Sequence, residues 1–212
     1  MNLTLKFSEL YNDEGFSDGT CIDLRDIPET NSYCSAQARC EILDRILPYP
    51  LAGIHWIDSG DYHYASEIFI GRMQEPFCLA LFDNHSDAQD GAFEGGMLSC
   101  GNWVKVARKN NPMLVESTWN TPVLTSSPQI PVYISIDLDV LSPEFARTNW
   151  NQGTMGLGQM EEMVSRIAAG RRVLGIDVCG GLTVAKGAGA ADIGLNLQTR
   201  RALGAFLSQF FL

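Results

Sequence analysis

The stretch Leu81-Phe82-Asp83-Asn84-His85-Ser86-Asp87 has the pattern of a buried strand that ends in metal-binding side chains. Asp83, His85 and Asp87 occupy alternate positions, and alternate side chains of an extended segment point to the same side. Later in the chain, Ser135-Ile136-Asp137-Leu138-Asp139 repeats the arrangement with two carboxylates. Two apolar runs that each end in oxygen and imidazole ligands predict a metal site, and the number of ligands favours two ions.

Composition places the chain among globular proteins and excludes one class of partner. The 212 residues are 45% hydrophobic and 19% charged, which predicts one domain over residues 1–212. The formal net charge is −10. Since no basic stripe is available to neutralise phosphates, nucleic acid is not expected as a partner. Some of the acidic residues are instead expected to be ligands of the metal site.

Cysteine usage and the start of the chain bear on the compartment. Six cysteines occur and none forms a C-x-x-C pair. The first residues lack the charged start and long apolar run of a signal peptide, and no apolar run is long enough to span a bilayer. The sequence therefore predicts a cytoplasmic protein without a membrane partner, whose thiols are reduced and mostly buried.

Apolar runs alternate with helical patterns along the chain. The runs are short and lack strict alternation of apolar and polar residues, which is typical of parallel strands that are covered on both faces. Predicted strands are residues 20–24, 52–57, 77–82, 122–125, 132–136 and 173–178. Predicted helices are residues 35–47, after the cap-like Asn31 and Ser32, and residues 64–73, 103–110, 159–169 and 195–210.

This alternation predicts a three-layer α/β/α sandwich with a mainly parallel central sheet. In such sheets ligands bind beyond the carboxyl ends of the strands, where both aspartate motifs lie. Glycine-rich residues 91–96, 153–158 and 180–194 are expected to form mobile loops around the site.

The motifs together resemble the arginase and agmatinase (ureohydrolase) family, whose signatures read approximately D-A-H-x-D and S-x-D-x-D-x-x-D-P. Here they stand as Asp83-Asn84-His85-Ser86-Asp87 and Ser135-Ile136-Asp137-Leu138-Asp139-Val140-Leu141-Ser142-Pro143. An earlier histidine of that family follows a Gly-Gly-Asp turn, and Ser59-Gly60-Asp61-Tyr62-His63 is similar, with one residue inserted. The resemblance covers residues 51–143 and implies the arginase-like fold in a short, divergent member.

The resemblance implies a binuclear Mn²⁺ centre, although other divalent ions suit the same ligands. His63 and Asp87 would complete the shell of one ion and His85 and Asp139 that of the other, with Asp83 and Asp137 bridging. Carboxylates and imidazoles are a hard ligand set that suits Mn²⁺. The implied activity is hydrolysis of a C–N bond in a small guanidino, amidino or amide-like substrate by a metal-bridging hydroxide, with Asp87 accepting its proton.

Three further positions correspond to residues that bind the substrate or transfer protons in the resembled family. Gln89 stands where the family places a polar residue against the substrate, and it is equally well explained as an exposed loop residue. Cys100 stands where the family has a proton-shuttling histidine, and its thiol is either a proton relay or a small packing residue. Gly180 stands where the family's glutamate binds a guanidinium group. The chain therefore either uses another acid, such as Asp192, or takes a substrate without a guanidinium.

Several alternatives remain open from the sequence. His55 competes with His63 as a ligand, but its place within a strand favours a hydrogen-bonded core histidine. One alternative function is that of a metal-binding member of the fold without hydrolase activity, and another is that of a deacylase that uses one ion. The apolar ending at residues 206–212 predicts packing either on the sheet or on a second subunit of a homo-oligomer.

Overall fold

A central sheet of seven parallel strands organises the chain. The computed structural model describes residues 1–90 and 97–211. The strands of the sheet are β1 Leu3–Lys6, β2 Thr20–Asp23, β4 Ile54–Ile57, β5 Phe77–Phe82, β7 Leu114–Trp119, β8 Val132–Asp137 and β9 Val173–Cys179. Their order across the sheet is β2-β1-β4-β9-β8-β5-β7. Two short strands, β3 Tyr33–Cys34 and β6 Leu98–Ser99, pair antiparallel outside it.

Helices cover both faces of the sheet. They are α1 Leu10–Glu14, α2 Ala36–Ile46, α3 Ala65–Ile70, α4 Trp103–Asn110, α5 Leu157–Ala168 and α6 Ala190–Leu207. Along β5, residues 77, 79 and 81 pack with α2, α3 and α4, whereas residues 78, 80 and 82 pack with α1, α5 and α6. Because successive side chains of a strand point to opposite faces, β5 must be apolar throughout. The predicted three-layer α/β/α architecture with a parallel sheet is confirmed.

Most predicted elements are present, and two strands of the central sheet were missed. The sequence prediction omitted β1, and it placed a strand at residues 122–125, where the structure has a loop. The edge strand is instead β7, which pairs only with β5 and is partly exposed. Strand β7 was not predicted because it contains polar residues and so does not form an apolar run. The Glu116 carboxylate of β7 accepts hydrogen bonds from the backbone N–H groups of Thr125 and Ser126, which fixes the loop against the strand.

Helix starts differ from the predicted ones for reasons of capping. Ser35 caps α2, with its Oγ accepting a hydrogen bond from the Ala38 N–H at 3.2 Å, so the predicted caps Asn31 and Ser32 are wrong. Helix α6 begins five residues before the predicted position, because Gly189 is its N-cap and Asp192 accepts the Gly189 N–H at 2.9 Å. The predicted loop over residues 180–194 therefore contains the first turn of this helix.

Other expectations have mixed outcomes. All six cysteines are free, but Cys21 and Cys40 are exposed and only three thiols are fully buried. Phe206 and Phe210 pack against the core on the α5 and α6 side. Within the described ranges, no helix combines the length and apolarity needed to cross a membrane. The predicted loop at residues 91–96 lies outside the described residues.

Candidate metal centre

Three strands in the middle of the sheet, β4, β5 and β8, bring the predicted ligands to one edge, and β9 lies between β4 and β8. Strand β4 leads into a 3₁₀ turn, Gly60–Tyr62, which is followed by His63. Asp83 follows β5 directly, Asp137 ends β8, and Asp139 lies in the next 3₁₀ turn. Because all four strands are parallel, their carboxyl ends lie side by side. The fold thus brings together side chains that are far apart in sequence.

Three carboxylates surround the ring of His63. Its Nδ1 lies 3.1 Å from Asp83 Oδ2, 3.0 Å from Asp87 Oδ2 and 3.7 Å from Asp137 Oδ2. These are close ionic contacts, and by strict geometry this buried nitrogen makes no hydrogen bond. On the other side of the ring, Nε2 is 2.8 Å from the Ser135 hydroxyl. We assign the ring proton to Nε2, which leaves the Nδ1 lone pair facing the carboxylates.

His85 forms the second half of the cluster. Its Nδ1 lies 2.9 Å from Asp139 Oδ2 and 3.4 Å from Asp83 Oδ1. The side chain of His85 is 30% exposed, whereas those of its two carboxylate neighbours are almost fully buried. Asp83 therefore contacts both histidines, one through each oxygen. This is the position that the sequence analysis gave to a bridging carboxylate.

The backbone fixes the carboxylates in place. Asp137 accepts the Asp139 N–H at 2.9 Å, and Asp83 accepts the His85 N–H at 2.6 Å. Asp87 has a positive φ of 47°, so the chain turns sharply there and the carboxylate points back toward His63. These local bonds explain the alternate-residue spacing of both motifs, because each first carboxylate also caps the turn that carries the next ligand.

Burial and mutual repulsion raise the pKa of some of these carboxyl groups, whereas contacts with histidine lower that of Asp83. Burial, together with the neighbouring Asp137 and Asp83 carboxylates, raises the pKa of Asp139 to about 10. Burial also raises the pKa of Asp87, to about 6, against the lowering effect of His63. Contacts with His63 and His85 outweigh burial at Asp83 and lower its pKa. Four carboxylates this close cannot all be ionised unless cations are present.

The residues fit divalent cations. Ions with nitrogen and oxygen ligands at about 2.0–2.3 Å place those ligands roughly 3–4.5 Å from one another. Among the described residues, two groups of histidine and aspartate alone have ligand atoms within 4.8 Å of one another, His63 with Asp83 and Asp87, and Asp83 with His85 and Asp139; a third group contains Cys179. The unpartnered Nδ1 of His63 is a stronger indication. Three carboxylate oxygens around one buried ring nitrogen need a positive charge among them, which a bound divalent cation would supply.

Two glycines allow backbone to pack directly against the cluster. A Cβ on Gly180 would lie 2.5 Å from Asp137 Oδ1, and one on Gly60 would lie 2.8 Å from Asp137 Oδ2. Gly180 also has a φ of +97°, which side-chain-bearing residues rarely adopt. The position where the resembled family has a guanidinium-binding glutamate therefore has no room for any side chain.

A cavity of about 310 Å³ opens above the cluster, and both further predicted residues line it. The Gln89 side chain lies over Gly101, and its backbone N–H donates to the Gly101 carbonyl at 3.1 Å. Cys100 is partly buried, and burial together with the nearby Asp87 raises the pKa of its thiol to about 12. Without a cation, this thiol is therefore protonated near neutral pH.

A buried carboxylate holds an aromatic residue at the mouth of this cavity. Asp61 accepts hydrogen bonds from Trp150 Nε1 at 3.2 Å and from Asn149 Nδ2 at 3.0 Å, and it pairs with Lys186. The Trp150 ring stands edge-on to His85, with 5.9 Å between ring centroids. Asp61 thus connects the turn that carries His63 to one wall of the cavity.

The alternative ligands have other roles. His55 is fully buried, with Nδ1 2.8 Å from Asp177 Oδ1 and 3.0 Å from the Tyr133 hydroxyl, and it stacks on Phe69. It is the hydrogen-bonded core histidine that its place in a strand predicted. Asp192 caps α6 and pairs with Arg147 at 3.4 Å, and it does not line the cavity.

Sequence reasoning missed several residues that support the ligands. Trp103 Nε1 donates to Asp87 Oδ2 at 2.6 Å, and Cys179 Sγ donates to Asp137 Oδ2 at 3.1 Å. The Asn120 side chain binds both the N–H and the carbonyl of Asp83, at 3.1 and 2.7 Å. None of these contacts is local in sequence. Only Ser135, which contacts His63, lay within a motif that the sequence analysis quoted.

Comparisons with known proteins agree with this architecture. No protein-family model matches the chain. A protein of Thermotoga maritima described as uncharacterized is 29% identical over 155 residues, which cover 65% of this chain and 61% of that protein. The match thus spans less than two thirds of the relative's length.

Solved structures give the fold. Proclavaminate amidino hydrolase from Streptomyces clavuligerus has a TM-score of 0.64 at 16% identity, covering 90% of this chain and 76% of that one. A triple mutant of T. brucei arginase-like protein bound with Mn²⁺ has a TM-score of 0.62 at 14% identity, covering 99% and 89% of the two chains. The chain therefore has the α/β fold of the arginase and ureohydrolase structures, as its two aspartate motifs predicted.

Proposed function

We propose that the protein is a hydrolase of the arginase and ureohydrolase family that uses two divalent cations, with Mn²⁺ as the expected metal. The proposed reaction is cleavage of a C–N bond in a small amidino, guanidino or amide-like substrate. One observation carries the proposal above the others: four buried carboxylates and two imidazoles converge at the cavity floor, and Nδ1 of His63 faces carboxylate oxygens without a hydrogen bond.

The ligand set supports two ions more than one. His63 with Asp87 and His85 with Asp139 would each hold one cation, and Asp83 contacts both histidines. Asp137 would be the second shared ligand. Bound cations of this kind lower the pKa of water and stabilise negative charge that develops on a substrate oxygen or nitrogen. The Mn²⁺ in the structure of the T. brucei arginase-like mutant shows that the same fold can hold this metal.

Asp87 is the proposed proton carrier of the reaction. Its Oδ2 receives the Trp103 Nε1–H and lies 3.0 Å from His63 Nδ1, so the carboxylate is held in one orientation. Without a cation, burial raises its pKa to about 6, and a positioned carboxylate of this kind can act as a general base. The carboxylate also lines the cavity, within reach of a bound substrate.

The cavity favours an uncharged amide-like group over a cationic guanidinium or amidinium. Gly180 leaves no room for the carboxylate that a guanidinium needs. Among the described residues that line the cavity, Asp90 is the only charged one outside the ligand set, and it pairs with Lys105. No lysine or arginine among them could bind a substrate carboxylate. Gln89, Asn102 and Trp150 offer hydrogen bonds and an aromatic face instead.

The test is turnover of a substrate panel by Mn²⁺-loaded protein. The panel contains guanidino, amidino, formimidoyl and simple amide compounds, and release of urea, ammonia or amine is measured. We expect turnover of an amide-like compound and none of arginine or agmatine. Asp137→Asn is the matched control, because it keeps the shape of a proposed bridging ligand and removes its charge. If none of the compounds is hydrolysed while Mn²⁺ is shown to be bound, the proposed hydrolase activity is refuted.

A second candidate function is metal binding without hydrolysis. The observation that favours it is Gly180 together with Cys100, since two positions that serve catalysis in the resembled family carry residues of different chemistry. A thermal-shift screen separates the two functions. In a binding protein Mn²⁺ would raise the melting temperature and no panel compound would raise it further, whereas a hydrolase substrate or product would add its own stabilisation.

A further inference from the structure

Cys179 contacts a carboxylate oxygen of Asp137, one of the proposed metal ligands. Cys179 is the last residue of strand β9. Its Sγ donates a hydrogen bond to Asp137 Oδ2 at 3.1 Å. The thiol is fully buried. One ligand atom each from His63, Asp137 and Cys179 all lie within 4.8 Å of one another, as in the two groups made of histidine and aspartate alone.

A second observation points into the same space. The unpartnered Nδ1 of His63 lies 3.7 Å from Asp137 Oδ2, and the side chain of His63 is 1% exposed. A cation that satisfies this nitrogen and Asp137 would lie beside the sulfur of Cys179. Metal–sulfur bonds are about 2.3 Å and metal–nitrogen bonds about 2.0–2.1 Å, so the three spacings suit one ion.

We propose that Cys179 is a direct ligand of the cation held by His63, so that the two metal positions differ in chemistry. The inference rests on the proposed binuclear centre and adds a ligand that none of the motifs contains. On binding, the sulfur–metal bond forms, the S–H bond breaks, and the thiol proton passes to solvent; no electron is transferred.

A thiolate changes which metal the position prefers. Carboxylate and imidazole ligands suit Mn²⁺, whereas sulfur favours softer ions such as Zn²⁺ and Co²⁺. The position formed by His63, Asp137 and Cys179 should therefore select Zn²⁺ or Co²⁺ over Mn²⁺. The position formed by Asp83, His85 and Asp139 has no cysteine among its grouped ligands and should retain the preference of a hard site.

Co²⁺ absorption tests the proposal without any need for activity. Metal-free protein is titrated with Co²⁺, whose visible bands report binding and whose near-ultraviolet charge-transfer band reports a sulfur ligand. The exposed Cys21 and Cys40 are replaced by serine first, since surface thiols bind Co²⁺ independently. We expect both signals in this background, and loss of only the charge-transfer band in Cys179→Ser.

Matched variants identify the thiol. Cys100→Ser removes the other cavity cysteine, and Cys78→Ser removes a buried cysteine of β5; both should retain the charge-transfer band. Cys179→Ser should also lower the affinity for Zn²⁺ by about 10–100-fold, as loss of a contact to a metal site does, and change that for Mn²⁺ little. Serine can keep the hydrogen bond to Asp137, so the fold should persist.

The outcomes separate this inference from the proposed function. Visible Co²⁺ bands without a charge-transfer band in the unsubstituted Cys179 protein would show that the thiol only donates a hydrogen bond to Asp137. That result overturns the inference and leaves the metal centre intact. A band that survives Cys179→Ser also overturns it. Failure to bind Co²⁺, Zn²⁺ or Mn²⁺ at all would overturn both. None of the results obtained with Cys179 in place depends on how Cys179→Ser folds.

Discussion

Replacing Gly180 by alanine tests whether close backbone approach positions the metal ligands. The new Cβ would lie 2.5 Å from Asp137 Oδ1 and 2.9 Å from the Leu138 nitrogen, so Asp137 must move. The residue would also adopt a φ of +97°, at a cost of about 1–3 kcal/mol. Overpacking adds about 1–3 kcal/mol more. Gly187 is a close control, because its φ is +100° and a Cβ added there would meet nothing within 4 Å.

Both substitutions place alanine at a positive φ, but only the one at position 180 also brings the new Cβ too close to Asp137. Gly180→Ala should therefore be less stable than Gly187→Ala by about 2 kcal/mol, which is roughly 4–8 °C in melting temperature for a chain of this size. It should also bind Mn²⁺ about 10–100-fold more weakly, since a ligand has been displaced. Thermal melts and calorimetric titration measure the two effects. Equal melting temperatures together with unchanged Mn²⁺ affinity would refute the argument.

Three further substitutions test individual contacts. In metal-free protein the free energy of unfolding should fall as the pH rises from about 4 towards 10, because folded Asp139 keeps a proton that the unfolded carboxyl has lost. Thermal melts should show that Asp139→Asn removes much of this dependence and most of the stabilisation by Mn²⁺; an unchanged pH profile would contradict the pKa assignment. Trp103→Phe removes the donor to Asp87, so the pKa of Asp87 should rise further above its ordinary value, and the pH at which Mn²⁺ binds should rise with it. Calorimetric titration across pH checks this, and a lower threshold would count against it. Arg200→Met leaves the buried Glu14 without its partner and should cost about 3–5 kcal/mol in denaturant unfolding. Adding Glu14→Gln should recover part of that loss, and no recovery would argue against the ion pair as the cause.

The sequence was sufficient for the fold class and for predicting that the six proposed ligands lie together. Parallel strands covered on both faces must be apolar throughout, so β5, β8 and β9 were visible as uninterrupted apolar runs. The ligands were visible because each motif is local: the first aspartate caps the turn that carries the next ligand. Edge strand β7 was not visible, because one side of it faces solvent and its residues are mixed.

The sequence by itself therefore determined which side chains could be ligands and that they end the strands of a parallel sheet. Only the tertiary structure decided how those ligands are held, since Trp103, Asn120 and Cys179 reach them from other elements. It also decided that Gly180 lies against Asp137, which excludes a side chain there. The physical reason is the same in each case. Spacing along a strand or turn fixes local geometry, whereas contacts between elements depend on the order of the strands across the sheet, which the spacing of residues does not encode.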